Sequence, residues 1–311
     1  MSRDSGAHTS DTAMFSIVIP TWNNLEYLKL CVASIRAHSA YDHEIVIHVN
    51  DGSDGTLDWV RAEKLRHSHS RDNIGVCLAV NLVSAQASRD WLLYMNDDMV
   101  CCPGWDVALV EAARASPTPL AMLFSTLIEP ADSGNPLVVV RDCGRTPESF
   151  DEAALLANYP LPARPDVLGQ GSQPTLVRRA HWQMVGGYSL EFGPGMSSDD
   201  DLLMKFWVVG CRHFRIVGAS LVYHFACRST GRVRRNRGGR TFVMKWGITQ
   251  NEFKRRFLAT GMQDGDPAAR FPRSTTLGRM RRIAYAISDY PLGDLAAWDP
   301  APGRHVIEND D

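Results

Sequence analysis

The sequence lacks the features that mark several large classes of protein. It contains no run of about 18 apolar residues, so no helix is expected to cross a membrane. Its seven cysteines are odd in number and show no metal-type spacing, which predicts a reducing, cytoplasmic compartment without a disulfide framework. The net charge of -2 gives no overall attraction for nucleic acid. These absences favour a protein that is soluble or at most peripheral to a membrane.

Apolar strands and amphipathic helices alternate along the first part of the chain. Residues 15–20 form a β-branched run that ends at a proline, and apolar residues then recur at helical spacing over 25–35. The same reasoning predicts strands at 44–49 and 90–95 and helices from 57, over 74–87 and over 103–115. Because strands that alternate with helices pair in parallel, we expect an α/β fold with a mostly parallel sheet flanked by helices.

The second part of the chain is less regular. Residues 130–171 are rich in proline and glycine and predict an irregular insertion. Beyond it, the predicted elements are a strand at 174–177, helices at 179–185, 199–209 and 250–260, and two strands at 215–217 and 221–223. The composition shifts to arginine and glycine near residue 227, so residues 229–311 are expected to form a C-terminal extension.

The first of two acidic clusters follows the predicted strand at 90–95 and consists of Asn96, Asp97 and Asp98. In an open parallel sheet, ligands collect at the carboxyl ends of the strands. Carboxylates are hard ligands that suit Mn²⁺ or Mg²⁺, with substrate phosphates completing the coordination. The alternative is an Asn/Asp turn that bonds its own backbone. The position at a strand end favours a cation site.

The second acidic cluster, Asp199 to Asp201, opens a predicted helix. The helix dipole favours carboxylates in the first turn, so helix capping is one interpretation. Consecutive helical residues point about 100° apart, however, so three aspartates cannot all serve one cap. At least one carboxylate is then available to accept a proton from a hydroxyl group. Asp199 and Asp200 are both candidates for this base.

Three further features allow two interpretations each. Asp51 follows the strand at 44–49 and can contact a nucleotide base and ribose, or belong to a helix-capping turn. His224 follows the strand at 221–223 and can be a metal ligand or a satisfied core residue. The basic segment 228–240 carries six arginines among glycines, and predicts either a lid over a diphosphate or a tail that binds RNA nonspecifically.

In their order along the chain, these motifs resemble those of the family 2 inverting glycosyltransferases of the GT-A fold. The resemblance extends over residues 15–225. Residues 16–23 are similar to the family's opening strand and nucleotide loop, and residues 49–56 are similar to its Asp-rich glycine turn. Further similar motifs are Arg71-Asp72-Asn73-Ile74-Gly75, Tyr94-Met95-Asn96-Asp97-Asp98, Val185-Gly186-Gly187-Tyr188, Asp199-Asp200-Asp201-Leu202 and Val222-Tyr223-His224.

The resemblance implies a role for each motif. By similarity, Asp98 is the metal ligand with His224 near the metal, and Asp199 is the base with Asp200 as its rival. The resemblance also implies nucleotide contacts from these residues: Pro20, Thr21, Asn23, Asp51, Arg71, Asn73, Asn96 and Asp97. The implied organisation is a disordered tail at 1–13, then a GT-A domain at 14–228. That domain comprises a Rossmann-like nucleotide-sugar half at 14–100 and an acceptor half at 101–228.

Three positions depart from the family's usual motifs: Asn50 and Asn96 stand in place of aspartates, and Ser198 in place of a glutamate. These changes leave the assignment of the base open. The implied reaction moves a sugar from a nucleotide-diphosphate sugar, most often a UDP-sugar, to an acceptor hydroxyl with inversion. The acceptor is a glycan, a lipid-linked molecule or another alcohol.

Two other functions use a related scaffold. A sugar-phosphate nucleotidyltransferase needs a glycine-rich basic loop after its first strand, and residues 21–24 have no glycine and no basic side chain. A non-catalytic carbohydrate- or RNA-binding protein is the other alternative. It predicts that nucleotide binding does not depend on a cation.

Overall fold

The computed structural model describes residues 15–157, 159, 164–226, 236–262, 276–287 and 307–309. Within these ranges the strands are β1 Phe15–Trp22, β2 Glu44–Asn50, β3 Arg66–Ser70, β4 Trp91–Tyr94, β5 Met99–Cys101, β6 Ala121–Glu129, β7 Val139–Val140, β8 Val167–Leu168, β9 Thr175–Arg178, β10 His213–His224 and β11 Ile307–Asn309. The helices are α1 Leu25–His38, α2 Thr56–Ala62, α3 Gly75–Gln86, α4 Trp105–Ala115, α5 Glu152–Leu156, α6 Arg179–Val185, α7 Ser198–Val208, α8 Gly238–Trp246, α9 Gln250–Phe257 and α10 Thr276–Ile287. The predicted tail at 1–13 and most of the basic segment, residues 228–235, lie outside the described residues.

All of these strands join one sheet with the order β11-β3-β2-β1-β4-β9-β6-β10-β5, and β7 and β8 pair with β6 and β10 respectively. Strands β1, β2, β3, β4, β6, β7 and β10 run in one direction. Strands β5, β8, β9 and β11 run in the other. The predicted fold class, an α/β fold with a mostly parallel sheet flanked by helices, is therefore confirmed.

The first strand shows why both faces of the sheet are covered. Ile17 and Ile19 lie on one face, in a buried cluster with Leu28 of α1 and Leu109 of α4. Val18 points to the other face and joins a cluster with Val80 of α3. Since successive side chains of a strand point to opposite faces, a continuous apolar run requires helices on both sides.

Strand β3 was not predicted because its sequence, Arg66–Ser70, is polar. Its buried hydroxyls are satisfied across the sheet: the two ring nitrogens of His48 lie 2.8 Å from Ser68 Oγ and 3.1 Å from Ser70 Oγ. Burial, with the nearby charge of His69, lowers the pKa of His48 to about 4. A neutral imidazole and two hydroxyls therefore replace the apolar side chains that usually identify a central strand.

The C-terminal part departs from the sequence predictions in two ways. The two short strands predicted at 215–217 and 221–223 form one strand, β10, with an irregularity in its pairing to β6 between them. The extension adds α8 and α9 to the main core, where Phe242 and Phe253 lie in the same buried cluster as Trp207. None of the described helices is both long and apolar enough to cross a lipid bilayer. The domain boundary at 228 stays a prediction.

Candidate active site

A crevice of about 450 Å³ opens at the carboxyl ends of β1, β2 and β4. It brings together most of the predicted site residues, which line it: Pro20, Thr21, Asn73, Asn96, Asp97, Asp98, Asp199 and His224. Four other predicted residues are not part of this lining: Asn23, Asp51, Arg71 and Asp200. The strand-end argument therefore located the crevice, and Asp51 is the one strand-end residue it named that does not line it.

Hydrogen bonds between strand ends fix the floor of the crevice. The amide of Asn50 donates to the carbonyl of Thr21 at 3.3 Å and accepts from the backbone N–H of Ile74 at 2.9 Å. It thereby ties the end of β2 to the end of β1 and to the start of α3. The hydroxyl of Thr21 donates to Asp97 Oδ2 at 2.7 Å, which adds the end of β4. Asn50, which stands where the family usually has an aspartate, therefore has a structural role.

The turn after β2 is held beside the crevice by the side chain of Asn23. Asn23 donates to Asp51 Oδ2 at 2.7 Å and accepts from the backbone N–H of Gly52 at 2.9 Å. Gly52 has a φ of 80°, and a Cβ there would lie 2.9 Å from side-chain atoms of Leu57 and Val49. Only glycine fits this turn without a shift of its neighbours. A contact between Asp51 and a nucleotide stays a prediction.

Asp98 and His224 face each other because β5 and β10 pair antiparallel, with Met99 opposite His224. His224 Nε2 lies 3.5 Å from Asp98 Oδ2, and His224 Nδ1 lies 3.0 Å from Glu129 Oε1. Burial by itself lowers the pKa of His224, but the hydrogen bond to Glu129 and the charge of Asp98 outweigh it and the pKa is raised. The hydrogen bond to His224 lowers the pKa of Glu129.

These side chains fit a divalent cation that also binds substrate. Asp98 offers a carboxylate and His224 an imidazole nitrogen, while Glu129 can orient the imidazole from the far side as a metal site requires. In the described part of the chain, no group of three or more His, Cys, Asp or Glu side chains is arranged to hold a metal. Two protein ligands are enough where phosphate oxygens and water supply the rest.

The structure separates the three aspartates of α7, and two of them face the C-terminal helices. Asp200 lies 2.8 Å from Lys254 Nζ and accepts from Gln250 Nε2 at 2.5 Å. Asp201 is fully buried, and it accepts from the indole N–H of Trp246 at 2.8 Å. These contacts join α7 to α8 and α9. Asp200, the rival candidate for the base, is thus turned toward α9.

Asp199 is the member of this cluster that lines the crevice. The Tyr188 hydroxyl donates to its Oδ1 at 2.6 Å, and Gln173 Nε2 donates to the same oxygen at 2.9 Å. Within the part of the chain that the structure describes, no hydrogen bond reaches Oδ2. Burial raises the pKa of Asp199, the Tyr188 hydrogen bond opposes this, and the charge of Asp200 adds to the rise. The carboxylate is therefore more basic than an exposed aspartate.

Sequence reasoning gave no role to three residues of the site: Glu129, Gln173 and Tyr188. Tyr188 belongs to the motif Val185-Gly186-Gly187-Tyr188, which resembles a motif of the family, so the sequence carries a signal for it. No motif in the sequence pointed to Gln173 or Glu129. Gln173 reaches Asp199 across the fold, and Glu129 meets His224 because β6 and β10 are neighbours.

Comparison with known proteins supports the assignment of the fold. Residues 16–140 match the profile of glycosyl transferase family 2. No curated protein matches the chain by sequence. Among solved structures, S. aureus TarS 1-349 in complex with UDP-GlcNAc is similar with a TM-score of 0.54 and 11% identity, over 92% of this chain and 78% of that one.

A second similar structure is GalNAc-T7 with UDP, GalNAc and Mn²⁺. It has a TM-score of 0.50 and 16% identity, and the similarity covers 72% of this chain and 44% of that one. At these identities the likeness concerns the fold. The resemblance drawn from the sequence motifs is confirmed, because residues 16–140 match glycosyl transferase family 2 and the chain has the GT-A fold.

Proposed function

We propose that this protein transfers a sugar from a nucleotide-diphosphate sugar to an acceptor hydroxyl with inversion at the anomeric carbon. A UDP-sugar is the favoured donor, since the similar structures hold UDP-GlcNAc or UDP. The observation that carries the proposal is one crevice lined by Asp98 and His224 and also by Asp199. The first two suit a cation on a diphosphate, and the third suits an attacking alcohol.

In the proposed reaction, Asp199 Oδ2 takes the proton of the acceptor hydroxyl. The acceptor oxygen forms a bond to the anomeric carbon while the bond from that carbon to the diphosphate oxygen breaks. A nucleoside diphosphate leaves with the electron pair of the broken bond. Attack from the face opposite the leaving group inverts the configuration in one displacement. Tyr188 and Gln173 hold Oδ1, which directs Oδ2 toward the crevice.

Asp98 and His224 would hold the divalent cation, either Mn²⁺ or Mg²⁺. When bound, such a cation neutralises charge that builds on the departing diphosphate. Glu129 keeps the imidazole in one orientation through Nδ1, which leaves Nε2 directed at the cation position. Thr21 and Asn50 act on the floor of the crevice by fixing the strand ends that carry Asp97 and Asp98.

A thermal-shift screen of nucleotide sugars, each with and without Mn²⁺, tests the proposed donor. A ligand at about 100 times its Kd should raise the melting temperature by roughly 4 °C in a protein of this size. We expect that rise with a UDP-sugar and Mn²⁺ together, and a smaller one without the metal. Equal stabilisation by every nucleotide sugar, independent of metal, would contradict the proposal.

Product analysis distinguishes the two alternative functions. Release of pyrophosphate from a nucleoside triphosphate and a sugar phosphate would identify a nucleotidyltransferase. Nucleotide binding that ignores Mn²⁺ and never leads to turnover, over a broad panel of acceptors, would identify a binding protein. Release of a nucleoside diphosphate together with a new glycosidic bond supports the proposed transferase.

Replacing Tyr188 by phenylalanine tests whether Asp199 is the titrating base. The Tyr188 hydroxyl holds down the pKa of Asp199, so its loss should move the acid limb of the kcat profile to higher pH. At a pH on that limb, kcat should fall by about tenfold, which corresponds to the roughly 1.5 kcal/mol of a hydrogen bond to a charged group. Steady-state rates measured across pH provide the profile.

Tyr94→Phe is the matched control for this experiment. The ring of Tyr94 lies edge-on to that of Tyr188, with centroids 5.9 Å apart. The substitution removes the same group, a phenolic hydroxyl. The acid limb of this variant should stay where it is in the wild type. If Tyr188→Phe also leaves the limb in place, a group other than Asp199 controls it.

A further inference from the structure

Helix α10 exposes an apolar stripe. Leu277, Met280 and Ile283 recur at three-residue spacing and are 55%, 64% and 59% exposed. Residues spaced in this way lie along one side of a helix. Side chains of this type are normally buried, so a row of three that remains exposed indicates a contact surface.

The opposite side of α10 is attached to the protein. The helix lies against α8, and its Gly278 is buried. Arg240 of α8 donates from its guanidinium to the carbonyl of Tyr285 at 2.7 Å, and the guanidinium carbon lies 4.9 Å from the centre of the Tyr285 ring. Because α8 itself inserts Phe242 into the main core, α10 is held with its apolar stripe facing outward.

Arginines border this stripe on both sides. At about 100° per residue, Arg281 lies roughly 40° beyond Leu277, and Arg279 lies roughly 40° beyond Ile283. Arg282 lies on the side of the helix away from the stripe, and all three arginines are exposed. The helix contains no aspartate or glutamate. An apolar stripe between cationic borders is the pattern of a helix that lies in the plane of an anionic membrane surface.

We propose that α10 docks this protein on an anionic lipid bilayer. Leu277, Met280 and Ile283 enter the boundary between headgroups and acyl chains, and the arginines at the borders contact lipid phosphates. The size of the stripe favours lipid over a second protein. A stable protein interface uses about 20 or more residues from each side, and this stripe offers three apolar side chains.

Vesicle sedimentation tests the proposal with the full chain and without any nucleotide sugar, so its outcome is independent of the proposed enzymatic activity. The vesicles are phosphatidylcholine alone, or an equimolar mixture of phosphatidylcholine and phosphatidylglycerol. We expect binding to the mixed vesicles that weakens as salt rises, and roughly 100-fold weaker binding to phosphatidylcholine alone. Absence of binding to the mixed vesicles, or equal binding to both, overturns the proposal.

Two triple variants separate the contribution of the apolar stripe from that of the positive charge on α10. Leu277→Ser with Met280→Ser and Ile283→Ser removes the apolar part, and Arg279→Gln with Arg281→Gln and Arg282→Gln removes the charge. Each should weaken binding to the mixed vesicles by at least about tenfold, while the melting temperature stays near that of the wild type because these side chains are exposed.

Met184→Ser combined with Leu190→Ser is the matched control. These two exposed apolar residues lie outside α10, so the variant should bind vesicles as the wild type does. Vesicle binding that survives both triple variants contradicts the proposal. So does light scattering that shows a wild-type dimer dissociated by the apolar triple variant, because the stripe would then be a protein interface.

Discussion

The Asp199→Asn variant is expected to transfer sugar at a rate about 10³-fold below that of the wild type, while it binds the nucleotide as tightly as the wild type does. An amide has the shape of the carboxylate but cannot take a proton at neutral pH. Its oxygen can still accept from Tyr188 and Gln173, so the local structure should persist. Single-turnover rates with a donor identified by thermal shift give the loss, and calorimetry with the nucleoside diphosphate gives the affinity.

Asp200→Asn is the matched control, since it makes the same change at the adjacent residue. Asp200 contacts Lys254 and Gln250 instead of the crevice. Because Lys254 is partly exposed, loss of the ion pair should cost about 1 kcal/mol or less of unfolding free energy. Turnover per folded molecule should stay within a few fold of the wild type. If Asp200→Asn is the inactive variant and Asp199→Asn is active, the assignment of the base is wrong.

The Asp98→Asn variant is expected to lose the dependence of nucleotide binding on Mn²⁺. Replacing the carboxylate by an amide removes the negative charge that faces His224 and would face the cation. Mutation of residues that only orient a metal ligand costs 10- to 100-fold in metal affinity, so loss of the ligand charge should cost at least about 100-fold. Calorimetric titration of UDP at several Mn²⁺ concentrations measures this effect.

Two further variants make the Asp98 experiment specific. Glu129→Gln changes the residue that orients His224, and we expect an intermediate loss of Mn²⁺-dependent affinity. Asp58→Asn makes the same change as Asp98→Asn at an exposed position of α2 and should have no effect. An Asp98→Asn protein that binds UDP with the wild-type response to Mn²⁺ would show that the cation is held elsewhere.

The sequence predicted the elements whose burial pattern follows from apolar residues alone. Strands β1, β2 and β4 contain runs of apolar residues, and their carboxyl ends led directly to the crevice. Strand β3 was not predicted because its side chains are polar, and its buried Ser68 and Ser70 hydroxyls lie within hydrogen-bond distance of His48 in the neighbouring strand. Periodicity of apolar residues cannot detect a strand whose core contacts are hydrogen bonds.

The site was predicted less completely for a related reason. Asp98 and Asp199 stand in acidic clusters that are visible in the sequence, but the groups that orient their surroundings come from distant elements. Glu129 reaches His224 through the pairing of β6 with β10, and Tyr188 reaches Asp199 through a turn after α6. Such partners depend on strand order, which local patterns do not encode.

Strand β9 has a consequence for the rigidity of the crevice. It runs antiparallel between β4 and β6 and is hydrogen-bonded to both. The strand end that leads to Asp98 and the strands that carry Glu129 and His224 therefore belong to one continuous hydrogen-bonded sheet. A hinge motion between the two sides of this sheet would have to break the hydrogen bonds that join β9 either to β4 or to β6. In the proposed reaction, the residues that would hold the cation therefore lie on a rigid floor, and any movement that admits the substrates has to come from the segments that connect the strands.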